Sequence, residues 1–136
     1  YSIGSEVMTL DILQEILKAG KELSLPKVVK KDLVFKKINS LSDLEQGNFS
    51  VMEPKEECED MKKIDVIIVP AIALTRDGYR LGYGFGYYDR YLSGKKSKTI
   101  ALCYSKQLIK SFQHSDHDVK IDYIITEDKV IMSKGK

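Results

Sequence analysis

The sequence predicts an α/β fold: a three-layer α/β/α single domain over residues 1–136 with a mostly parallel central sheet. Three observations lead there. Strand-like and helix-like segments alternate along 136 residues, a length that buries one sizeable core and not two, and such alternation builds a parallel sheet covered on both faces. Ile64-Asp65-Val66-Ile67-Ile68-Val69-Pro70 is a nearly continuous β-branched run, the pattern of a strand buried on both sides. After it comes a segment with glycine at every second position, Gly82, Gly84 and Gly86, near the carboxyl strand end, where open sheets of this class gather ligands.

Taken in order, Tyr1-Ser2-Ile3-Gly4 reads as the tail of a strand. Thr9 is placed to cap a helix whose Leu10, Leu13 and Leu17, with Ile12 and Ile16, form an apolar face, and Gly20 ends it. Asp11 in the first turn and Lys18 near the last suit the helix dipole. Short strands follow at Lys21–Pro26 and Leu33–Ile38, and Ser40–Asp60 is polar and reads as a partly ordered connector. Arg76-Asp77-Gly78-Tyr79 is a turn signal, and Tyr87–Leu92 is a helix stopped near Ser93-Gly94. Lys98–Tyr104 is a strand, Ser105–Phe112 a short helix, and Tyr123–Thr126 a last strand.

Composition narrows the function classes. Twenty-two Lys plus Arg against 20 Asp plus Glu leave a net charge of +2, with the cations scattered, so no nucleic-acid partner is expected. No apolar run approaches the roughly 20 residues that span a bilayer, so no membrane partner is expected either. Cys58 and Cys103 lie far apart and outside any Cys-x-x-Cys spacing, which reads as free thiols in a reducing, cytoplasmic setting. A monomer is expected.

Arg80-Leu81-Gly82-Tyr83-Gly84-Phe85-Gly86-Tyr87-Tyr88-Asp89 concentrates the chemistry. Glycines without Cβ can take positive φ and turn successive amides toward an anion, a helix start at Tyr87 would aim further N–H groups at it, and Arg80 adds a fork of donors. The plainer reading is a tight strand-to-helix connection. Asp89 beside a phosphate calls for a bridging cation such as Mg²⁺, or it is an ordinary first-turn carboxylate. A second carboxylate is available in His114-Ser115-Asp116-His117-Asp118. His114 and His117 lack the further soft ligands zinc needs, and neither a P-loop nor a Gly-x-Gly-x-x-Gly motif is present. Tyr79, Tyr83, Tyr87, Tyr88 and Tyr91 could stack on a heterocycle or pack the helix onto the sheet. Glu6 stands at a strand-to-helix junction, as a surface residue or a ligand contact.

Val69-Pro70-Ala71-Ile72-Ala73-Leu74 followed by the run from Asp77 to Leu92 resembles the signature of the 5-formyltetrahydrofolate cyclo-ligase, or methenyltetrahydrofolate synthetase, family. Ile3-Gly4-Ser5-Glu6-Val7, Leu25-Pro26, Glu53-Pro54 and Asp118-x-Lys120-Ile121-Asp122 extend the resemblance along the chain. It implies an enzyme that uses ATP and Mg²⁺ to convert 5-formyltetrahydrofolate into 5,10-methenyltetrahydrofolate, releasing ADP and phosphate through a phosphorylated formyl oxygen. Carried over by position, the nucleotide-phosphate loop falls on Arg80, Leu81, Gly82, Tyr83, Gly84, Phe85, Gly86, Tyr87 and Tyr88, and the Mg²⁺ carboxylates on Asp89 and Asp118. Folate contacts fall on Tyr1, Glu6, Tyr83, Gly84, Phe85, Gly86 and Tyr87, and the catalytic roles on Glu6, Arg80 and Tyr87. Phe85 departs from the small or basic residue of many relatives. The family's basic N-terminal helix has no counterpart before Tyr1, so the sequence reads as lacking it, with weakened ATP binding expected. Other readings of the same residues are a sugar-phosphate isomerase or acyl-transferase-like enzyme and a non-catalytic nucleotide or folate module.

Overall fold

A computed structural model of the chain describes residues 8–47, 51–82, 84, 86–113 and 118–133. The predicted strand tail at Tyr1–Gly4, Tyr1 and Glu6 themselves, Tyr83, Phe85 and the His114 and His117 pair lie outside the described residues. The chain forms two compact units, Tyr1–Lys63 and Ile64–Lys136.

In the first unit, α1 (Leu10–Lys18) begins at Thr9, which makes no side-chain cap; the Leu13 amide instead donates to the Thr9 carbonyl at 3.0 Å. Its apolar stripe buries Leu13 with Leu23, Leu25, Ile38 and Leu44, and Ile16 and Leu17 pack against that cluster. β1 (Leu23–Val29) and β2 (Asp32–Ile38) form an antiparallel hairpin in register from Leu23↔Ile38 to Val29↔Asp32. β1 thus runs past Pro26, because hairpin pairing recruits Lys27–Val29, which a strand read in isolation leaves out. Lys30 at the hairpin end takes the left-handed conformation, φ 58.

The polar stretch Ser40–Asp60 is more ordered than its composition suggests. A 3-10 turn at Leu41–Asp43 leads to β3 (Leu44–Gln46), which pairs antiparallel with β4 (Met52–Pro54). Polar side chains supply the order: Asp43 accepts from the amides of Asn39 at 2.7 Å and Ser40 at 3.2 Å, and buried Glu53 accepts from the Val28 amide at 3.2 Å. Lys36 is buried too, donating to Asp60 at 2.7 Å and to the carbonyls of Glu56 and Cys58.

The second unit holds a four-stranded mixed sheet. β5 (Val66–Ile68), β8 (Lys98–Leu102) and β9 (Tyr123–Ile125) run parallel, and β10 (Val130–Met132) joins β9 antiparallel, in the order β10-β9-β8-β5. By register, one face carries the buried Ile67, Val69, Ala101, Cys103 and Ile124. The β-branched run is shorter than predicted and is not buried on both sides: among the described residues β5 ends the strand order, leaving Val66 51% and Ile68 38% exposed. The residues between β5 and β8 add a short antiparallel pair, β6 (Ala73–Leu74) with β7 (Arg80–Leu81), and α2 (Tyr87–Leu92).

Ser105–Phe112 is not the predicted helix. It makes one 3-10 turn at Ser105–Gln107, after which the Gln107 amide group donates to the carbonyls of Ala71 and Ile72 and the Ile109 amide donates to Leu74 at 2.8 Å. Pairing with β6 holds the segment extended where local pattern favoured a helix. The last strand closes one residue early, at Ile125, because the Thr126 amide turns to the Lys129 carbonyl and starts the turn into β10. None of the described helices is long and apolar enough to cross a membrane.

Candidate active site

The site is built by a turn, a glycine loop and the segment before β9, all in the second unit. Asp77-Gly78 makes the predicted turn: the Thr75 amide donates to the Tyr79 carbonyl at 2.9 Å, the Gly78 amide to Thr75 at 3.0 Å, and the Thr75 hydroxyl to the Asp77 carboxylate. Gly78 has φ 98, and a Cβ there would lie 2.6 Å from the Ile121 carbonyl oxygen, so only glycine suits this position. The turn pairs Arg80 with Leu74 and delivers its side chain to the start of the loop.

Arg80 is held on several sides. Its Nε donates to the Pro70 carbonyl at 2.9 Å, its Nη1 lies 3.9 Å from Asp89 Oδ1, and its guanidinium sits 5.4 Å from the Tyr88 ring centroid. The side chain is 8% exposed. Burial pulls its pKa below the ordinary arginine value, while Asp89, Tyr88 and Asp118 push it back up; arginine keeps its charge regardless. Asp118 therefore acts on the same guanidinium as Asp89.

Asp89, in the first turn of α2, is partly buried, and its Oδ1 also accepts from the Val119 amide at 3.3 Å. This bond brings the segment before β9, described from Asp118 onward, against the helix. Gly84 and Gly86 have φ 94 and 70, and Gly86 is the residue from which α2 starts. Gly82 lies under Arg80: a Cβ there would be 2.5 Å from Nη2. The loop thus has a guanidinium at its first glycine and open space at Gly84, where a Cβ would meet nothing within 4 Å.

The tyrosines pair with cations. Arg90 stacks on Tyr87, Lys95 on Tyr91 and Lys120 on Tyr79, at 5.5, 4.7 and 4.9 Å to the ring centroids. Burial raises the Tyr91 pKa. Arg90, Lys120 and the Val119 amide were not among the predicted site residues. The Asp118-x-Lys120-Ile121-Asp122 motif marked the neighbourhood of Val119 and Lys120, and the run from Asp77 to Leu92 that of Arg90, but the approach of the two segments is a tertiary contact.

A sequence profile described as the 5-formyltetrahydrofolate cyclo-ligase family matches residues 1–127. The chain belongs to the 5-formyltetrahydrofolate cyclo-ligase family. It is 28% identical over 138 residues to the 5-formyltetrahydrofolate cyclo-ligase of Escherichia coli, covering 95% of this chain and 76% of that protein. It is 29% identical over 149 residues to the one of Saccharomyces cerevisiae, covering 90% and 71%. Among solved structures it is similar to the 5,10-methenyltetrahydrofolate synthetase of Aquifex aeolicus, with a TM-score of 0.86, 35% identity, and coverage of 100% of this chain and 70% of that one. The synthetase of Mycoplasma pneumoniae aligns with a TM-score of 0.70 and 29% identity over 92% of this chain and 68% of its own. These cyclo-ligase structures share the α/β fold described above.

Proposed function

We propose that the chain catalyses the ATP- and Mg²⁺-dependent cyclisation of 5-formyltetrahydrofolate to 5,10-methenyltetrahydrofolate. Membership of a ligase family implies nucleotide use and a folate substrate. The observation that carries the reading further is the convergence of Arg80, Asp89 and the Asp118-Val119 segment on a glycine loop.

In this reading Arg80 to Tyr88 receive the nucleotide phosphates, with Gly84, where an added Cβ would meet nothing within 4 Å, leaving room for oxygens to approach the main chain. Asp89 and Asp118 would hold Mg²⁺. The donor chemistry fits: two carboxylates suit an ion that takes its other oxygens from phosphate and water. Together Mg²⁺ and ATP supply an activated phosphoryl group with its charge neutralised. Tyr1, Glu6 and the stretch Tyr83 to Tyr87 take the folate, Glu6 at the pterin edge and Tyr87 beside the formyl group.

Chemistry then consists largely of positioning. The formyl oxygen accepts the γ-phosphoryl group as ADP leaves; N10 attacks the activated formyl carbon and loses its proton, and the carbon–oxygen bond breaks to release phosphate. Arg80 holds the loop while negative charge shifts between these oxygens. The three-layer arrangement with a mostly parallel sheet and the single 1–136 domain are part of the proposal, supported by the parallel β5–β8–β9 ladder and by a family match that runs through both units. The free thiols of Cys58 and Cys103 support a cytoplasmic setting, and a monomer is proposed. The test is direct: with 5-formyltetrahydrofolate, ATP and Mg²⁺, the near-ultraviolet absorbance of the methenyl product should rise and should require all three. Product formation without ATP would point to the isomerase-like or transferase-like reading, and no product to a binding module.

A further inference from the structure

The fold puts a second guanidinium on the glycine loop. The Arg90 amide closes the first turn of α2 on the Gly86 carbonyl at 3.1 Å, and the side chain returns over the same glycine: a Cβ on Gly86 would lie 2.8 Å from Arg90 Nη1. Gly82 and Gly86, the ends of the Gly-x-Gly-x-Gly run, thus each have an arginine where a side chain would otherwise stand. The two arginines differ in their exposure to solvent. Arg80 is buried, with Nε given to Pro70 and Nη1 facing Asp89. Arg90 is exposed, and the Tyr87 ring flanks its guanidinium at 5.5 Å.

We propose that Arg90 is a second phosphate-binding residue, meeting the nucleotide's oxygens from the exposed side of the loop while Arg80 anchors the loop from within. The inference rests on the nucleotide reading given above. Four considerations favour it. α2 has six residues, too few for peptide dipoles to supply much positive potential, so cationic side chains must carry the charge. An arginine stacked on a ring is already partly ordered, so less side-chain entropy is lost when it takes up an anion. Its fork can engage two phosphate oxygens at once. Finally, Gly84, with positive φ and nothing within 4 Å of where its Cβ would stand, leaves backbone of the same loop uncovered.

The experiment compares wild type, Arg90→Gln and Arg90→Lys by methenyl product formation, varying MgATP and 5-formyltetrahydrofolate separately at two salt concentrations. Loss of a charged hydrogen-bond donor should raise the ATP KM of Arg90→Gln about tenfold, with kcat and the folate KM within about twofold. Arg90→Lys, which keeps the charge, should recover at least half of that loss on a logarithmic scale. The ATP KM of wild type should also rise more steeply with salt than that of Arg90→Gln. An ATP KM for Arg90→Gln within twofold of a wild type that requires ATP would overturn the inference and leave the nucleotide reading standing. Equal losses in Gln and Lys, with melting points lowered in both, would also overturn it and assign Arg90 to packing on Tyr87. ATP-independent turnover by wild type would remove the nucleotide reading itself.

Discussion

At Asp89 the neighbours decide the role: its Oδ1 accepts from the Val119 amide and faces the Arg80 guanidinium across 3.9 Å. Replacing the carboxylate by the isosteric amide removes charge from the proposed metal position and changes little of the packing. Asp89→Asn should therefore lower turnover by about a hundredfold or more, as loss of a transition-state electrostatic group does, while the far-ultraviolet circular dichroism stays that of wild type. Turnover with unchanged Mg²⁺ dependence would take Asp89 out of the metal site. The candidate role of Asp89 was legible from the sequence, since a carboxylate next to a phosphate-type loop needs a cation between. Its bond to Val119 was not, because the two residues lie 30 positions apart and local pattern carries no distance between them.

Among the elements, the turn at Leu41–Asp43 shows polar residues ordering a stretch that looked like connector. Bonds from the Asn39 and Ser40 amides, in that order, hold the Asp43 carboxyl below its ordinary value of 3.8. A depressed folded-state value means stabilisation that is fully present above the ordinary carboxylate range and is lost as pH falls through the lower folded-state value. Asp43→Asn should thus melt at a lower temperature than wild type at pH 7, with the gap narrowing as pH falls below 3.8; a gap that persisted in strong acid would assign the loss to packing. Elements with strong periodicity, α1, β2, α2 and β8, were readable because alternation and the 3.6-residue period are local. β6, β7 and β10 are two or three residues long and exist through pairing alone. Ser105–Phe112 went to an extended edge because Gln107 and Ile109 found partners beside β6.

Across the whole molecule, the proposed reaction draws on residues far apart in sequence, Glu6 for the pterin and the loop from Arg80 for the nucleotide. The two substrates should therefore be separable by mutation. Glu6→Gln should raise the 5-formyltetrahydrofolate KM about tenfold through loss of a charged acceptor and leave the ATP KM within about twofold; the reverse order, read from initial rates with each substrate varied in turn, would contradict the assignment. The family was legible from sequence alone, because an ordered string of motifs is far more specific than any single glycine pattern, and the profile match over residues 1–127 agrees.

Sequence by itself determined the α/β class, the Asp77-Gly78 turn, the glycine loop and the cast of candidate side chains, all properties of residue type and short-range order. Tertiary structure alone decided that β5 ends its sheet's strand order among the described residues and that Asp89 meets Val119. It also decided that Arg80 is a buried anchor, with Arg90 the exposed cation over Gly86. The physical reason is common to all three: burial and charge pairing depend on which segments meet in space, and contacts between distant residues leave no period in the chain.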